Sequence, residues 1–409
     1  MDQDANQILL AGLTKTLQTP QLASLSIEDW RRVNNLAEQQ GVAPLLYHRL
    51  QQMKVTPPNE VAETLKQEYL QNMARNMSLY QALGQLLRRL QENKISVIVL
   101  KGAYLAEAVY QNIAVRMMGD IDLLVKETDL LRVEKVLLTL GYLPKEFSRV
   151  ISADSHDFCY SLPNTAVLLE IHWTIYDSDF PFNVEMESLW DRAQPVTLAQ
   201  ASGLALAPED LFLYLCLHIA KHTFEFGLRM LCDIVELVRH AKPELNWNKI
   251  EIRAREWDAI RTIYLVLRLT EELFGKIAPE DWLAAIRPES FCETYLDLAR
   301  EQILGDRRSM NHTELGSLNL LQLFWGKKLG SKLALIRERL LPARALLARQ
   351  YPVAVDSWKI YLYYPVRLKD VLGRQGAAFW RRLRGGSKTQ ASVTHINQLV
   401  TLRNWLNSG

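Results

Sequence analysis

Two aspartates stand two residues apart in an otherwise apolar run, Arg116-Met-Met-Gly-Asp120-Ile-Asp122-Leu-Leu-Val125. If the run is a strand, its side chains alternate faces. Asp120 and Asp122 then share one face, and Ile121 turns the other way into the sheet. Two carboxylates so placed repel each other unless a cation sits between them. Mg²⁺, or Mn²⁺ in its place, takes oxygen ligands of this kind. A third acid, Glu170, lies between Leu169 and Ile171 on a later apolar run. A glutamate buried there needs a cation or a hydrogen-bonding partner. A neighbouring strand would bring it beside the aspartates. Asp120, Asp122 and Glu170 are therefore the candidate catalytic and metal-binding residues. Three carboxylates can hold two metals that brace the attacking and leaving oxygens of a phosphoryl displacement. His172, two residues after Glu170, shares its face. It would orient a carboxylate or meet substrate, unless it simply packs.

An anion-binding half stands nearby. Gly102 follows the run Ile95-Ser-Val-Ile-Val-Leu and precedes a helical pattern, so backbone N–H groups there can face a phosphate. Lys101 and Arg116 bracket the segment and could neutralise a triphosphate, or pair with the acids instead. His218 and His222 are four apart on a helical pattern, a spacing that can bind zinc. No third ligand is evident, and the plainer expectation is that Asp233 hydrogen-bonds one of them and pins two helices together.

These residues need strands and helices to hold them. Residues 1–94 read as helical, ending in one long amphipathic pattern from Val61 to Asn93. The texture then changes to strand (95–100), helix (103–111), strand (121–125), and a helix from Glu127 to Leu140 that stops at Gly141. Phe158–Leu162 and Val167–Trp173 flank Pro163-Asn164 and predict an antiparallel hairpin. Helices return at Pro208–His222, Leu228–His240, 247–274, 279–304 and 317–349. The expectation is an α+β fold: a small mixed-sheet core at 95–205, between an N-terminal helical region (1–94) and a C-terminal one (206–350). A helical tail at 351–409 would end partly disordered.

Composition narrows the field. The net charge of +2 over 409 residues gives no strong pull toward nucleic acid. No apolar run is long enough for a membrane span, and the polar start lacks the features of a signal peptide. Cys159, Cys216, Cys232 and Cys292 are scattered without CxxC spacing, so neither a zinc site nor a disulfide framework is implied. A cytoplasmic location is the natural expectation. Cys216 and Cys232 fall in apolar helical patterns and read as core. Residues 374–388 carry five basic groups and no acid; a solvated end is the plain reading, an acidic membrane or RNA surface the sharper one.

Together, Lys101-Gly102, Arg116-x-x-Gly119-Asp120-Ile-Asp122-Leu-Leu-Val and Glu170-Ile-His172 resemble the uncharacterised bacterial nucleotidyltransferases of the polymerase-β-like superfamily. So do Gln40-Gly-Val-Ala-Pro-Leu-Leu-Tyr47 upstream and Leu217-His-Ile-Ala-Lys-His222 with Leu231-Cys-Asp-Ile234 downstream. The resemblance spans roughly residues 8–240. It implies Mg²⁺-dependent transfer of a nucleoside monophosphate from an NTP such as ATP to an acceptor. Asp120 and Asp122 would be the metal pair and Glu170 the third carboxylate. Gly102 would hold the glycine position of the phosphate loop, with Lys101, Arg116 and Gly119 near the phosphates. The acceptor, whether sugar, small molecule, protein or RNA, is left open, as is oligomeric state. The sequence departs from the superfamily in two places: Ala103 replaces the usual Ser or Gly, and the spacer from Gly102 to Asp120 is long. These departures motivate a second reading, a nucleotide-binding or scaffold protein that has lost transfer. A third follows from similarity to toxin nucleotidyltransferases that act on tRNA.

Overall fold

Ser26 opens a helix with a reciprocal cap: its hydroxyl accepts from the Asp29 N–H while the Asp29 carboxylate accepts from the Ser26 N–H. The computed structural model describes residues 2–14, 22, 25–145, 157–176, 182–242, 245–305, 357–366 and 398–407. Within them the N-terminal region is helical: α1 (Asp2–Thr14), α2 (Ile27–Gln39), α3 (Ala43–Met53) and the 34-residue α4 (Asn59–Glu92). One stripe of α4, Leu79, Leu83, Leu86, Leu87 and Leu90, is buried, as its helical spacing requires.

The core begins with β1 (Val97–Val99) and α5 (Lys101–Tyr104), which widens into a π-helical turn at Leu105–Val109. Next come β2 (Ile121–Val125), α6 (Leu130–Thr139), β3 (Leu143–Pro144), β4 (Asp157–Ser161) and β5 (Leu168–His172). A short α7 (Met186–Arg192) precedes β6 (Gln194–Leu198) and β7 (Ala201–Ala205). The sheet is mixed, in the order β3-β4-β5-β2-β1-β7-β6, with β2 parallel to β5 and β1 parallel to β7. Val97, Val99, Ile121, Leu123, Leu169 and Ile171 share one core with the α4 stripe and with Val133 and Leu137 of α6. By alternation Asp122 and Glu170 face the other side.

The fold is thus α+β, as expected, and the expected hairpin is β4–β5 in the register Phe158↔Ile171. The β6–β7 hairpin was not expected. Its turn, Ala199-Gln200, puts two non-glycine residues in the left-handed region (φ 51° and 57°) and so carries no turn signature. Two contacts hold it: the Glu107 carboxylate accepts from the Ala199 N–H, and Gly84 of α4 lets the Ala199 carbonyl approach where a Cβ would lie 2.6 Å away.

After α8 (Pro208–Lys221) and α9 (Leu228–Ala241), two long predicted helices are each broken. The first becomes α10 (Trp247–Glu256) and α11 (Ile260–Phe274), parted at Asp258 with φ 55°. The second becomes α12 (Glu280–Ala285) and α13 (Glu293–Leu304), with Pro288 between them lacking the N–H a continuous helix needs. Cys216 and Cys232 are buried, as read. No helix among the described residues is long and apolar enough to cross a membrane. The chain divides into two compact units, Met1–Gly305 with Leu406–Gly409, and Asp306–Trp405. In the second, a 3₁₀ turn at Trp358–Leu362 carries Tyr361, which stacks on Tyr364. The helix expected at 317–349 and the basic segment 374–388 lie outside the described residues.

Candidate active site

β2 and β5 run parallel with Asp122 level with Glu170 and Leu124 level with His172. This register turns two separate motifs into one cluster. Asp122, Glu170 and His172 each offer a donor atom within 4.8 Å of the others. His172 Nε2 lies 3.1 Å from Asp122 Oδ1 and 3.5 Å from Glu170 Oε2. Asp120, just before β2, lines the same cavity of about 350 Å³. On β4, Asp157 sits level with His172 and joins the lining, an acid the sequence reading did not single out.

Lys101 takes a left-handed conformation (φ 37°) at the end of β1, and its ammonium donates to Asp122 Oδ1 at 2.8 Å. Burial alone would push the Asp122 carboxyl up, but Lys101 and His172 outweigh it and hold it far below the usual range. Burial likewise opposes the charge on Lys101, yet Asp122 more than compensates and keeps the ammonium protonated. Asp120 has no such partner among the described residues. Burial, then the neighbouring Asp122 and Glu170 carboxylates, push it up to about 6.

Gly102 is required by close approach: a Cβ there would lie 2.6 Å from Arg116 Nη1 and 3.2 Å from Met118 Cγ. Ala103 is buried in the hydrophobic core. Gly119 is exposed at the cavity, and a Cβ there would meet nothing.

A model of the family described as uncharacterised nucleotidyltransferase matches residues 26–275, more than half of the chain. The chain belongs to this nucleotidyltransferase family. No curated protein matches it. Among solved structures, a solution structure of the antibiotic-resistance factor ANT(2'')-Ia is 13% identical, with a TM-score of 0.34, covering 48% of this chain and 98% of its own. A crystal structure of ANT(2")-Ia with adenylyl-2"-tobramycin is also 13% identical, with a TM-score of 0.32 and coverages of 44% and 97%.

In this nucleotidyltransferase the long spacer before Asp120 is an anchored segment. Asn72 of α4 donates to the Ala114 carbonyl, and Asn76 donates to those of Ile113 and Arg116. Arg116 lines the cavity, but its guanidinium is engaged elsewhere: Nε and Nη2 donate to Asp233, and Nη1 to the Met117 carbonyl. Tyr110 donates to the same Asp233 carboxylate. Asp233 therefore pins the spacer, and the expected bond from Asp233 to His218 or His222 is not what forms; a buried guanidinium is the stronger claimant for a buried carboxylate.

The end of α8 and the start of α9 also line the cavity. Arg229, missed from sequence, lines the cavity and donates to the Met117 carbonyl. It has no carboxylate partner among the described residues, and burial followed by Arg116 lowers its pKa. The Gln40-Gly41 motif explains its placement. The Gln40 side chain accepts from the Leu228 N–H, and Gly41, at φ 67°, lies beside Arg229. His218 and His222 also line the cavity and meet ring edge to face, 4.7 Å apart.

Proposed function

We propose that this nucleotidyltransferase moves a nucleoside monophosphate from an NTP to an acceptor hydroxyl in a Mg²⁺- or Mn²⁺-dependent reaction. The observation that carries the reading is the level pairing of Asp122 and Glu170 across β2 and β5, in a cavity that Arg229 also lines. Acidic and basic side chains lining one cavity suit a cation-bound polyphosphate.

The donor set fits a hard divalent cation: two carboxylates gathered with His172, and Asp120 beside them. A cation held by Asp120, Asp122 and Glu170 would supply Lewis-acid stabilisation of charge on the reacting phosphate. The chain's own groups do the rest. His172 fixes the Asp122 carboxylate. Lys101 and Arg229 offset charge on the departing pyrophosphate. Glu170, with a side chain 31% exposed, takes the proton from the acceptor hydroxyl. The acceptor oxygen bonds to the α-phosphorus, the bond from that phosphorus to the bridging oxygen breaks, and pyrophosphate leaves. Arg116 acts at a distance, holding the spacer that ends at Asp120.

Isothermal titration with each NTP and Mg²⁺ tests the reading. Saturable, Mg²⁺-dependent binding is expected, and it should be lost in an Asp120→Asn/Asp122→Asn variant. Equal binding by that variant would place the nucleotide elsewhere.

A further inference from the structure

We propose that the aromatic stripe at the C-terminal end of α8 seats the nucleobase of the NTP, with Phe226 as its platform. The proposal rests on the nucleotidyl-transfer reading and extends it to the base. Tyr214, His218 and His222 are spaced four apart; the first two share one face of α8, and His222 is the residue that caps its end. Their rings form a chain: Tyr214 to His218 at 6.1 Å, His218 to His222 at 4.7 Å, and His222 to Phe226 at 4.3 Å between centroids. The planes of His218 and Phe226 lie within 15° of parallel. At the other end, Lys101 Nζ lies 5.9 Å from the Tyr214 ring centroid while bonding Asp122. The stripe thus runs from Lys101, which bonds Asp122, to Phe226, and His218, His222, Phe226 and Met230 all line the cavity that holds the carboxylates.

The backbone is strained to put Phe226 there. Thr223 and Phe224 both take left-handed conformations, at φ 49° and 62°, which β-branched and bulky residues avoid. The turn buries Phe224 almost completely and brings Phe226 back against His222, leaving it 37% exposed. A phenyl ring left open to water in a charged cavity gains by being covered, and a flat heteroaromatic ring covers it best. Every base has such a face, so the platform takes any of the four. Burial, then Lys101 and His222, hold His218 well below its ordinary pKa, so the ring beside Phe226 is neutral.

The test compares a base-bearing ligand with a base-free one. Isothermal titration of the full chain with Mg²⁺ would use ATP, GTP, CTP and UTP beside inorganic tripolyphosphate, on wild type, Phe226→Ala, Phe226→Leu and Phe226→Trp. Wild type should bind each NTP about tenfold or more tightly than tripolyphosphate. Phe226→Ala and Phe226→Leu should lose that advantage with tripolyphosphate unchanged, and Phe226→Trp should keep it. An advantage that survives Phe226→Ala, or that Leu preserves as well as Trp, overturns the platform. So does an equal loss of tripolyphosphate binding. If wild type binds neither NTP nor tripolyphosphate, the nucleotide reading itself fails, and the platform with it.

Discussion

Lys101 Nζ lies 2.8 Å from Asp122 Oδ1, and both side chains are almost out of solvent. Removing one partner of a buried pair leaves the other uncompensated, at a cost of about 3–5 kcal/mol. Lys101→Met should therefore destabilise the metal-free protein by about that much, and adding Asp122→Asn should recover most of the loss. Urea unfolding in the presence of a chelator measures both. A change below about 1 kcal/mol in the single variant would show that the pair is not buried as described.

Asp120 gives a pH signature of opposite sign to an ordinary paired carboxylate. Its folded pKa, pushed up to about 6, lies above that of the unfolded chain, so the folded state holds the proton more tightly. This carboxyl's contribution to the stability of the metal-free protein should be full below about pH 4, fall between about pH 4 and 6, and stay level above. Asp120→Asn should flatten that fall and raise the melting temperature at pH 7, while weakening Mn²⁺ binding. Thermal melts across pH, with and without Mn²⁺, report both effects. An unchanged pH profile in Asp120→Asn would contradict the assignment.

The Arg116–Asp233 pair ties the spacer to α9 through two hydrogen bonds, of 3.1 and 2.8 Å. Asp233→Asn and Arg116→Met should each cost about 3–5 kcal/mol, with strong coupling in the double variant. Additive losses in a double-mutant cycle would mean that the two side chains act independently.

The two glycines near the cavity should respond differently to alanine. Gly102→Ala forces Arg116 Nη1 and Met118 aside and should cost about 1–3 kcal/mol. Gly119→Ala meets open space and should leave the melting temperature within about 1 °C, since its Cβ touches nothing. Equal effects at the two positions would refute the close packing at Gly102.

Much of this site is legible in the sequence because strand alternation is local. Asp120 with Asp122, and Glu170 with His172, can each be placed on one face without knowing the fold. The sheet order that sets Asp122 level with Glu170 is a long-range fact, and only the β4–β5 hairpin could be read from its turn. Three features escaped for physical reasons. The β6–β7 turn is held by Glu107 and by the approach of Gly84 rather than by turn residues. Arg229 is far from the motif and is placed by Gln40 and Gly41. The partner of Asp233 is 117 residues away, so the histidines near it in sequence were the wrong candidates. The C-terminal helices break at Asp258, which takes φ 55°, and around Pro288, whose missing N–H is a breaking signal that the sequence does carry.

The most direct measurement follows the phosphorus. The protein would be incubated with Mg²⁺ and pooled small-molecule, RNA and protein acceptors, using ATP labelled at either the α- or the γ-phosphate, beside the Asp122→Asn variant. Label should pass to an acceptor from the α-phosphate and not from the γ-phosphate, and the variant should transfer none. Transfer from the γ-phosphate, or α-label transfer undiminished in Asp122→Asn, would contradict nucleotidyl transfer at this cavity.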